Sequence, residues 1–322
     1  MIHFRRFAWG VLGFNVLVIL WGAVVRATGS GAGCGDHWPL CDGHVIPPDP
    51  ALATFIELFH RLTSGLALIL VVAMWIAARR VFIPGHRARR FAGASLVLII
   101  VESLIGAFIV VRSLTGMDDS ALRAAVIALH QANTLLLLGA ITLTAWFAGR
   151  TADSGARISL PLTLRLLLAL GVLGLIVLGA TGAITALGDT LFRPETLEAG
   201  WQDKFSPTAH FLIRLRVVHP AVAMAMGVYI IATAWRAYQH ASDDLGRKLA
   251  LALSGLFFAQ CAAGVINVIL LAPVWMQIVH LLLADAVWIT FVLLAANIST
   301  TQPSRVAAQL PPTVASPVLT AK

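Results

Sequence analysis

The chain has 322 residues, of which 59% are hydrophobic and only 12% are charged, and its mean hydropathy is +0.87. These values exclude an ordinary soluble domain and are typical of a polytopic membrane protein. The formal net charge of +8 does not indicate nucleic-acid binding, because the basic residues lie in short segments between apolar runs, where they determine topology. We therefore expect membrane lipid, and no nucleic acid, among the partners.

Apolar runs of membrane-spanning length recur along the whole chain. They cover residues 7–26, 56–78, 91–111, 122–148, 161–187, 209–234, 247–271 and 274–297. The first run lacks a small-residue cleavage site after it, so we interpret it as a retained span rather than a signal peptide. The tail at 299–322 is rich in proline, threonine, alanine and serine, and we expect it to be disordered.

The distribution of charge predicts the orientation of these spans. Most basic residues fall on one side: Arg5, Arg6, Arg79, Arg80, Arg87, Arg89, Arg90, Arg150, Arg157, Arg165, Arg236, Arg247, Lys248, Arg305 and Lys322. The longer loops 27–55 and 188–208 lie on the opposite side and are acidic: Asp36, Asp42, Asp49, Asp189, Glu195, Glu198 and Asp203. The positive-inside rule then places both termini in the cytoplasm.

The two halves of the chain repeat one another at offsets of 150 to 159 residues. The equivalent pairs are Gly22 with Gly179, His60 with His219, Gly106 with Gly264, and His130 with His280. Four spans per half bring the second half in with the orientation of the first, as parallel repeats about an axis along the membrane normal. The sequence thus predicts an all-α membrane protein with eight transmembrane helices in two parallel pseudo-symmetric four-helix bundles, residues 1–150 and 151–298.

Four histidines occur in alternate spans, each near the end that we assign to the outer side: His60, His130, His219 and His280. Two imidazoles at matching depth in one bundle are what a porphyrin held between helices requires, because each supplies one axial nitrogen to the iron. A zinc site is less favoured, since it needs two further ligands close by. One intramembrane histidine alone is more often a packed core residue, but the symmetric quartet predicts one haem site per half.

The surroundings of these histidines differ between the halves. Glu57, His60 and Arg61 share one face of a helix, and an ionisable residue in a span usually serves a site. The repeat sets Arg216 opposite Glu57. An arginine beside a haem pairs with a propionate, whereas a carboxylate suggests proton chemistry. We therefore expect a permanently bound redox haem in the second half and, in the first half, a ligand that the protein modifies chemically.

Further arginines stand at the outer ends of spans, where propionate binding and snorkelling explain them equally well: Arg26, Arg112, Arg123 and Arg214. Cys34 and Cys41 bracket the loop sequence CGDHWPLC. On the outer side such a pair favours a disulfide or a thiol relay. A disulfide with the purely structural task of closing a small loop is an equal alternative. We interpret Cys261, within the seventh span, as a packing residue.

The segments GAVVRATGSGAGCGDHWPLCDG, ELFHR, ALHQ, VVHP and IVHL at these spacings resemble the haem A synthases over nearly the whole chain. The resemblance implies a bacterial inner-membrane enzyme that oxidises the methyl group at ring position 8 of haem O to the formyl group of haem A. It also implies haem O synthase and cytochrome oxidase assembly factors as partners, with an electron donor that the sequence does not identify. Homo-oligomerisation is left open. One departure is Glu102, where glutamine is more typical of the family.

The resemblance further implies a role for each matching residue. His60 and His130 would hold the substrate haem, His219 and His280 a haem b cofactor, and Glu57 would be the catalytic carboxylate. The implied disulfide pair is Cys34 with Cys41. From their positions, rather than from the resemblance, we expect Arg26, Arg61 and Arg216 to bind haem propionates or to support the site.

Three other functions compete with this one. A dihaem electron carrier of the cytochrome b type would keep both haems permanently and has no need of Glu57. A haem-handling transporter would fit parallel repeats but favours helices broken at mid-membrane, and the spans contain few prolines. A thiol oxidoreductase built on the cysteine pair would leave four histidines unexplained.

Overall fold

The computed structural model describes residues 2–150 and 160–300. Within these residues every long element is an α-helix, and eight helical segments are long and apolar enough to cross a membrane. The helices are α1 (Ile2–Ala27), α2 (Leu52–Val81), α3 (Arg87–Val111), α4 (Ala121–Ala148), α5 (Leu162–Leu191), α6 (Leu197–Phe205), α7 (Phe211–Leu215), α8 (Val218–His240), α9 (Asp244–Ile269) and α10 (Val274–Ile298). The predicted all-α membrane fold is confirmed.

Several helix ends follow from side chains that cap free backbone N–H groups. Ser120 accepts a hydrogen bond from the Arg123 amide at the start of α4, and Asp243 accepts one from Gly246 at the start of α9. Prolines stand directly before α5 and α10, where the missing N–H costs no helical bond. The turns therefore fix where the apolar runs enter the bilayer.

The first four spans pack as α1 with α2, α2 with α3, α3 with α4, and α4 back against α1. In the second half α5 packs with α8, α8 with α9, and α9 with α10, while α10 returns to α5. The halves meet through α1 and α4 on one side and α5 and α10 on the other. Leu138, Ile141, Phe291 and Leu294 lie on α4 and α10, two of the helices at this seam, and are excluded from solvent. The pseudo-symmetry of the two halves remains a prediction.

The structure corrects one expectation about the second outer loop and adds two features. Helix α5 runs on to Leu191, so Asp189 lies in a helix and not in the loop. The loop itself contains a helix of nine residues, α6. The sixth span is divided between α7 and α8, because Pro220 has no N–H to offer the Arg216 carbonyl and its ring clashes with that group. The break lies near the outer end, not at mid-membrane.

Two other expectations concern the seventh span and the chain end. Cys261 is exposed, so its interpretation as a packing residue is wrong. The tail beyond residue 300, which we expected to be disordered, lies outside the described residues.

Candidate functional site

Three of the four histidine rings pack against a glycine of the preceding span. An added Cβ at Gly22 would lie 3.0 Å from His60 Cε1, one at Gly182 would lie 3.0 Å from His219 Cε1, and one at Gly264 would lie 3.1 Å from His280 Cε1. Carbon atoms in ordinary contact are about 3.5–4.0 Å apart. Only glycine therefore lets these helices approach the imidazoles so closely.

This packing corrects one pair of the internal repeat. The glycine that contacts the second-half histidine is Gly182, whereas Gly179 faces Leu135 and Gln131 of α4. The structural counterpart of Gly22 is thus Gly182. Gly106 also differs from its partner Gly264, because no atom lies within 4 Å of a Cβ built there.

His219 and His280 project toward one another from α8 and α10. Their ring centroids are 6.4 Å apart and the ring planes are nearly perpendicular, at 87°. Two imidazoles on opposite sides of one iron have centroids about 6 Å apart, because each Fe–N bond is about 2 Å and each nitrogen lies about 1 Å from its ring centre. The spacing of this pair fits one iron between the rings, and the two residues therefore fit a haem.

Neighbouring polar groups distinguish the two rings of this pair. His219 Nδ1 lies 3.3 Å from the hydroxyl of Thr181, and His280 Nε2 lies 3.3 Å from the amide nitrogen of Gln260. His280 Nδ1 is buried without a hydrogen-bond partner. A buried polar atom without a partner is costly, so the pocket is better suited to a ligand that takes up one nitrogen of each ring.

In the first half His60 lies on α2 and His130 on α4, and both helices pack against α1. The Nδ1 atoms of both rings are buried and have no hydrogen-bond partner. The Glu102 carboxylate of α3 lies 3.5 Å from His130 Nδ1. The structure thus brings the two rings of the second-half pair face to face, whereas the first-half pair is marked by two buried Nδ1 atoms without hydrogen bonds.

Glu57 lies one helical turn before His60 and is 3% exposed. Its Oε1 accepts from Arg61 at 2.5 Å, and its Oε2 accepts from the Cys34 amide at 2.8 Å. Arg61 also donates to the carbonyls of His37 and Leu40. The carboxylate therefore links the histidine-bearing turn of α2 to the first outer loop.

Cys34 and Cys41 form a disulfide in this loop, as predicted. The loop is docked closely on the first turn of α2, because a Cβ at Gly33 would come within 2.6 Å of the Ala53 backbone. Thr54 secures the same contact by donating to the Gly33 carbonyl at 2.7 Å. The disulfide, the loop and the start of α2 consequently form one rigid unit beside His60.

Like Arg61, the other two arginines predicted to bind propionates or support the site already contact protein groups. Arg26 donates to the Ala186 carbonyl at 2.7 Å and to Thr190 and Gln277 at 3.0 Å, which joins α1 to α5 and α10. Arg216 donates to the carbonyls of Gly188 and Phe192 and pairs with Asp189 at 2.9 Å. Their contacts favour the supporting role, because both tie down the outer end of α5.

Of the other three outer arginines, one is buried and bound to backbone, and two are exposed. Arg123 is buried and donates to the Gly116 carbonyl at 2.9 Å, so it braces the loop before α4. Arg112 and Arg214 are exposed. Lys204 approaches the α5 end from α6, and burial lowers the pKa of its ammonium group while Asp189 partly offsets this.

Sequence reasoning missed Asp285, which lies in α10 five residues after His280. Its side chain is buried, with 1% exposed, and neither carboxylate oxygen has a hydrogen-bond partner. An acidic residue inside an otherwise apolar span is visible in the sequence as the end of HLLLAD, and such residues usually mark function. The sequence does not show which side chains pack around Asp285.

Eight helices long and apolar enough to span a membrane, with a pair of facing histidines in the second half, define a multi-span membrane protein. Comparison with family models gives the particular family. Residues 5–292 match the COX15-CtaA model, described as cytochrome oxidase assembly protein, and the chain belongs to this family.

Individual relatives point in two directions. The chain is 50% identical over 298 residues to a protoheme IX farnesyltransferase of Thermus thermophilus, covering 90% of the chain and 48% of that protein. It is 38% identical over 149 residues to a heme A synthase of Alkalihalophilus pseudofirmus, and the match covers 45% of the chain and 47% of that protein. A heme A synthase of Bacillus cereus is 43% identical over 96 residues, covering 30% and 31%. The chain spans about half the length, or less, of these curated relatives.

Proposed function

We propose that this protein is a haem A synthase that oxidises the methyl group at ring position 8 of haem O to a formyl group. The observation that carries the proposal is the His219–His280 pair, whose 6.4 Å ring separation fits a single iron between the rings. Family membership and the two heme A synthase relatives support the same chemistry. Haem A made in this way would serve the assembly of a terminal oxidase.

The two halves have separate tasks in this proposal. His219 and His280 hold a resident haem b, which supplies one-electron redox chemistry when bound. His60 and His130 hold the substrate haem O in the first half. The glycines opposite His60 and His219 leave each ring the space to pack directly against the neighbouring helix.

Glu57 is the catalytic carboxylate of the first half. Conversion of a methyl to a formyl group, through a hydroxymethyl group, removes two hydrogens from the carbon and adds one oxygen, with dioxygen and a reductant as co-reactants. Breaking each C–H bond builds positive character on the carbon and leaves a proton to be taken up. A carboxylate one turn from the histidine ligand is placed to accept those protons or to stabilise that charge. Arg61 and the Cys34 amide hold both oxygens of Glu57 in a fixed orientation, and the first outer loop packs against the start of the same helix.

Orientation and partners belong to the same proposal. The spans cross the bacterial cytoplasmic membrane with both termini in the cytoplasm, so that the disulfide loop faces the oxidising side. The chain receives haem O from a haem O synthase and works beside oxidase assembly factors. The remaining partner is an electron donor of unspecified class.

A second candidate function, protohaem farnesylation, is favoured by the identity to the Thermus relative. That protein is about twice as long as the matched region, and about half of it lies outside the match. The name of that relative therefore describes a protein with a further part about as large as this chain. The paired histidines favour oxidation of a bound haem over transfer of a farnesyl group to it.

The test is a product assay with purified protein in detergent. One sample receives haem O with a chemical reductant and oxygen, and another receives protohaem IX with a farnesyl donor. Chromatography with mass detection should show a haem that has gained one oxygen and lost two hydrogens in the first sample, and no change in the second. Farnesylated haem in the second sample would assign the relative's activity to this chain instead.

A further inference from the structure

Glu102 is an acidic residue inside a transmembrane span, and α4 holds it in place. Its Oε2 accepts from the Asn133 amide nitrogen at 2.5 Å, and its Oε1 accepts from the Thr134 hydroxyl. Both partners follow His130 within about one helical turn. Two side chains thus aim the carboxylate at the histidine-bearing segment of α4.

The aimed carboxylate meets a ring nitrogen that lacks a partner. Glu102 Oε1 lies 3.5 Å from His130 Nδ1, and this nitrogen is buried with no hydrogen bond. The separation is slightly longer than a hydrogen bond. Contacts of this kind are often long in a protein without its ligand and shorten when the ligand binds.

No other haem-binding histidine among the described residues has this arrangement. His219 Nδ1 faces the hydroxyl of Thr181, and His280 has the neutral Gln260 beside its other nitrogen. Gln260 precedes Gly264 by four residues, as Glu102 precedes Gly106. The two halves therefore place a carboxylate and an amide at equivalent positions.

We propose that Glu102 is a positioning residue that accepts a hydrogen bond from His130 Nδ1 and lowers the reduction potential of the haem in the first half. A carboxylate on the outer nitrogen fixes the tautomer in which Nε2 is free to bind iron, and it makes the imidazole a stronger donor. A stronger donor stabilises ferric over ferrous iron. The proposal rests on the proposed function, because it requires a haem between His60 and His130.

The expected consequence is a difference in potential between the two halves. The haem of the first half is expected to have the lower reduction potential of the two. Loss of such a partner changes metal binding by about 10- to 100-fold, and a tenfold change in the relative stability of the two oxidation states is about 59 mV for one electron.

The experiment is a spectroelectrochemical titration of the purified, haem-loaded protein. The wild type should show two one-electron transitions, and His219→Ala should remove the higher one. Glu102→Gln should raise the lower potential by about 59 mV or more and leave the other unchanged. The matched control is Ser103→Ala on the same helix, since Ser103 bonds only the Ile99 carbonyl of its own helix, and it should leave both potentials in place.

The outcomes separate the two proposals. An unchanged lower potential in Glu102→Gln, or an equal shift in Ser103→Ala, overturns the role of Glu102 while the haem sites stand. If Glu102→Gln does not load haem, the order of the two wild-type potentials decides, and a higher potential in the first half refutes the inference. A wild-type protein without haem in the first half refutes the proposed function as well.

Discussion

The glycines beside the histidine rings provide the most direct structural perturbation of the haem sites. We predict that Gly182→Ala selectively weakens haem binding in the second half. The new methyl group would lie 3.0 Å from His219 Cε1, whereas relaxed carbon contacts are about 3.5–4.0 Å. The imidazole must then move by about 0.5–1 Å, which misaligns its nitrogen with an iron held between two rings.

The size of the effect follows from the cost of overpacking. An extra methyl group in a tightly packed interior costs about 1–3 kcal/mol. If this cost falls on the haem-bound state, in which the ring cannot swing away, the affinity decreases about 5- to 150-fold, since each 1.4 kcal/mol is tenfold. The stability of helix α5 itself should increase, because alanine is favoured over glycine inside a helix by about 1 kcal/mol.

The assay is the haem content per protein after purification at limiting haem, measured by reduced-minus-oxidised spectra and by chromatography of extracted pigments. Gly182→Ala should lose the second-half haem and Gly22→Ala the first-half haem. Gly106→Ala is the matched control, because a Cβ there meets no atom within 4 Å, and it should bind as the wild type does. Equal haem content in all three variants would refute the reasoning.

Three further predictions concern the outer end of the protein. Glu57→Gln should still bind haem in both halves but stall at haem O or a hydroxylated intermediate, because the charge beside His60 is lost; a normal yield of haem A would make Glu57 structural. Alkylation of the denatured chain should modify one of the three cysteines before reduction and all three after it; modification of all three without reductant would contradict a disulfide at rest. Arg26→Leu should lower the thermal stability of the solubilised protein, since each buried acceptor left unpaired costs about 1–3 kcal/mol, while the same change at exposed Arg112 should not; equal melting of the two variants would contradict the bridging role.

The sequence predicts the spans well, because the signal for a span is local, and the histidines are detected by an equally local signal. An apolar run of about 20 residues is readable without knowledge of its neighbours, and a histidine within such a run stands out. The spacing of Glu57, His60 and Arg61 likewise places them on one helical face. The Glu57–Arg61 ion pair follows directly from that spacing.

Contacts between helices could not be predicted in the same way. The segment GATGAITALG contains two glycines near the required depth, and only the rotation of α5 decides that Gly182 rather than Gly179 contacts His219. Arg26 illustrates the same limit, because its three acceptors lie on α5 and α10. A single sequence gives the face of a helix but not the helix that the face meets.

The break in the sixth span had a sequence signal that we did not use. Pro220 follows His219 directly, and a proline inside a helix removes the bond to the residue four positions earlier. Here that residue is Arg216, whose side chain turns back to cap the end of α5. The local effect of the proline was predictable, whereas the capping contact depends on the tertiary fold.

The central claim is that each half binds one haem between two histidines and that the two haems differ in fate. Mass identification of the haems extracted from purified wild-type protein and from His60→Ala and His219→Ala variants tests it most directly. We predict haem b with haem O or haem A in the wild type, haem b alone in His60→Ala, and loss of haem b in His219→Ala. A protein without haem, or an equal loss of both haems in the two variants, would contradict the account.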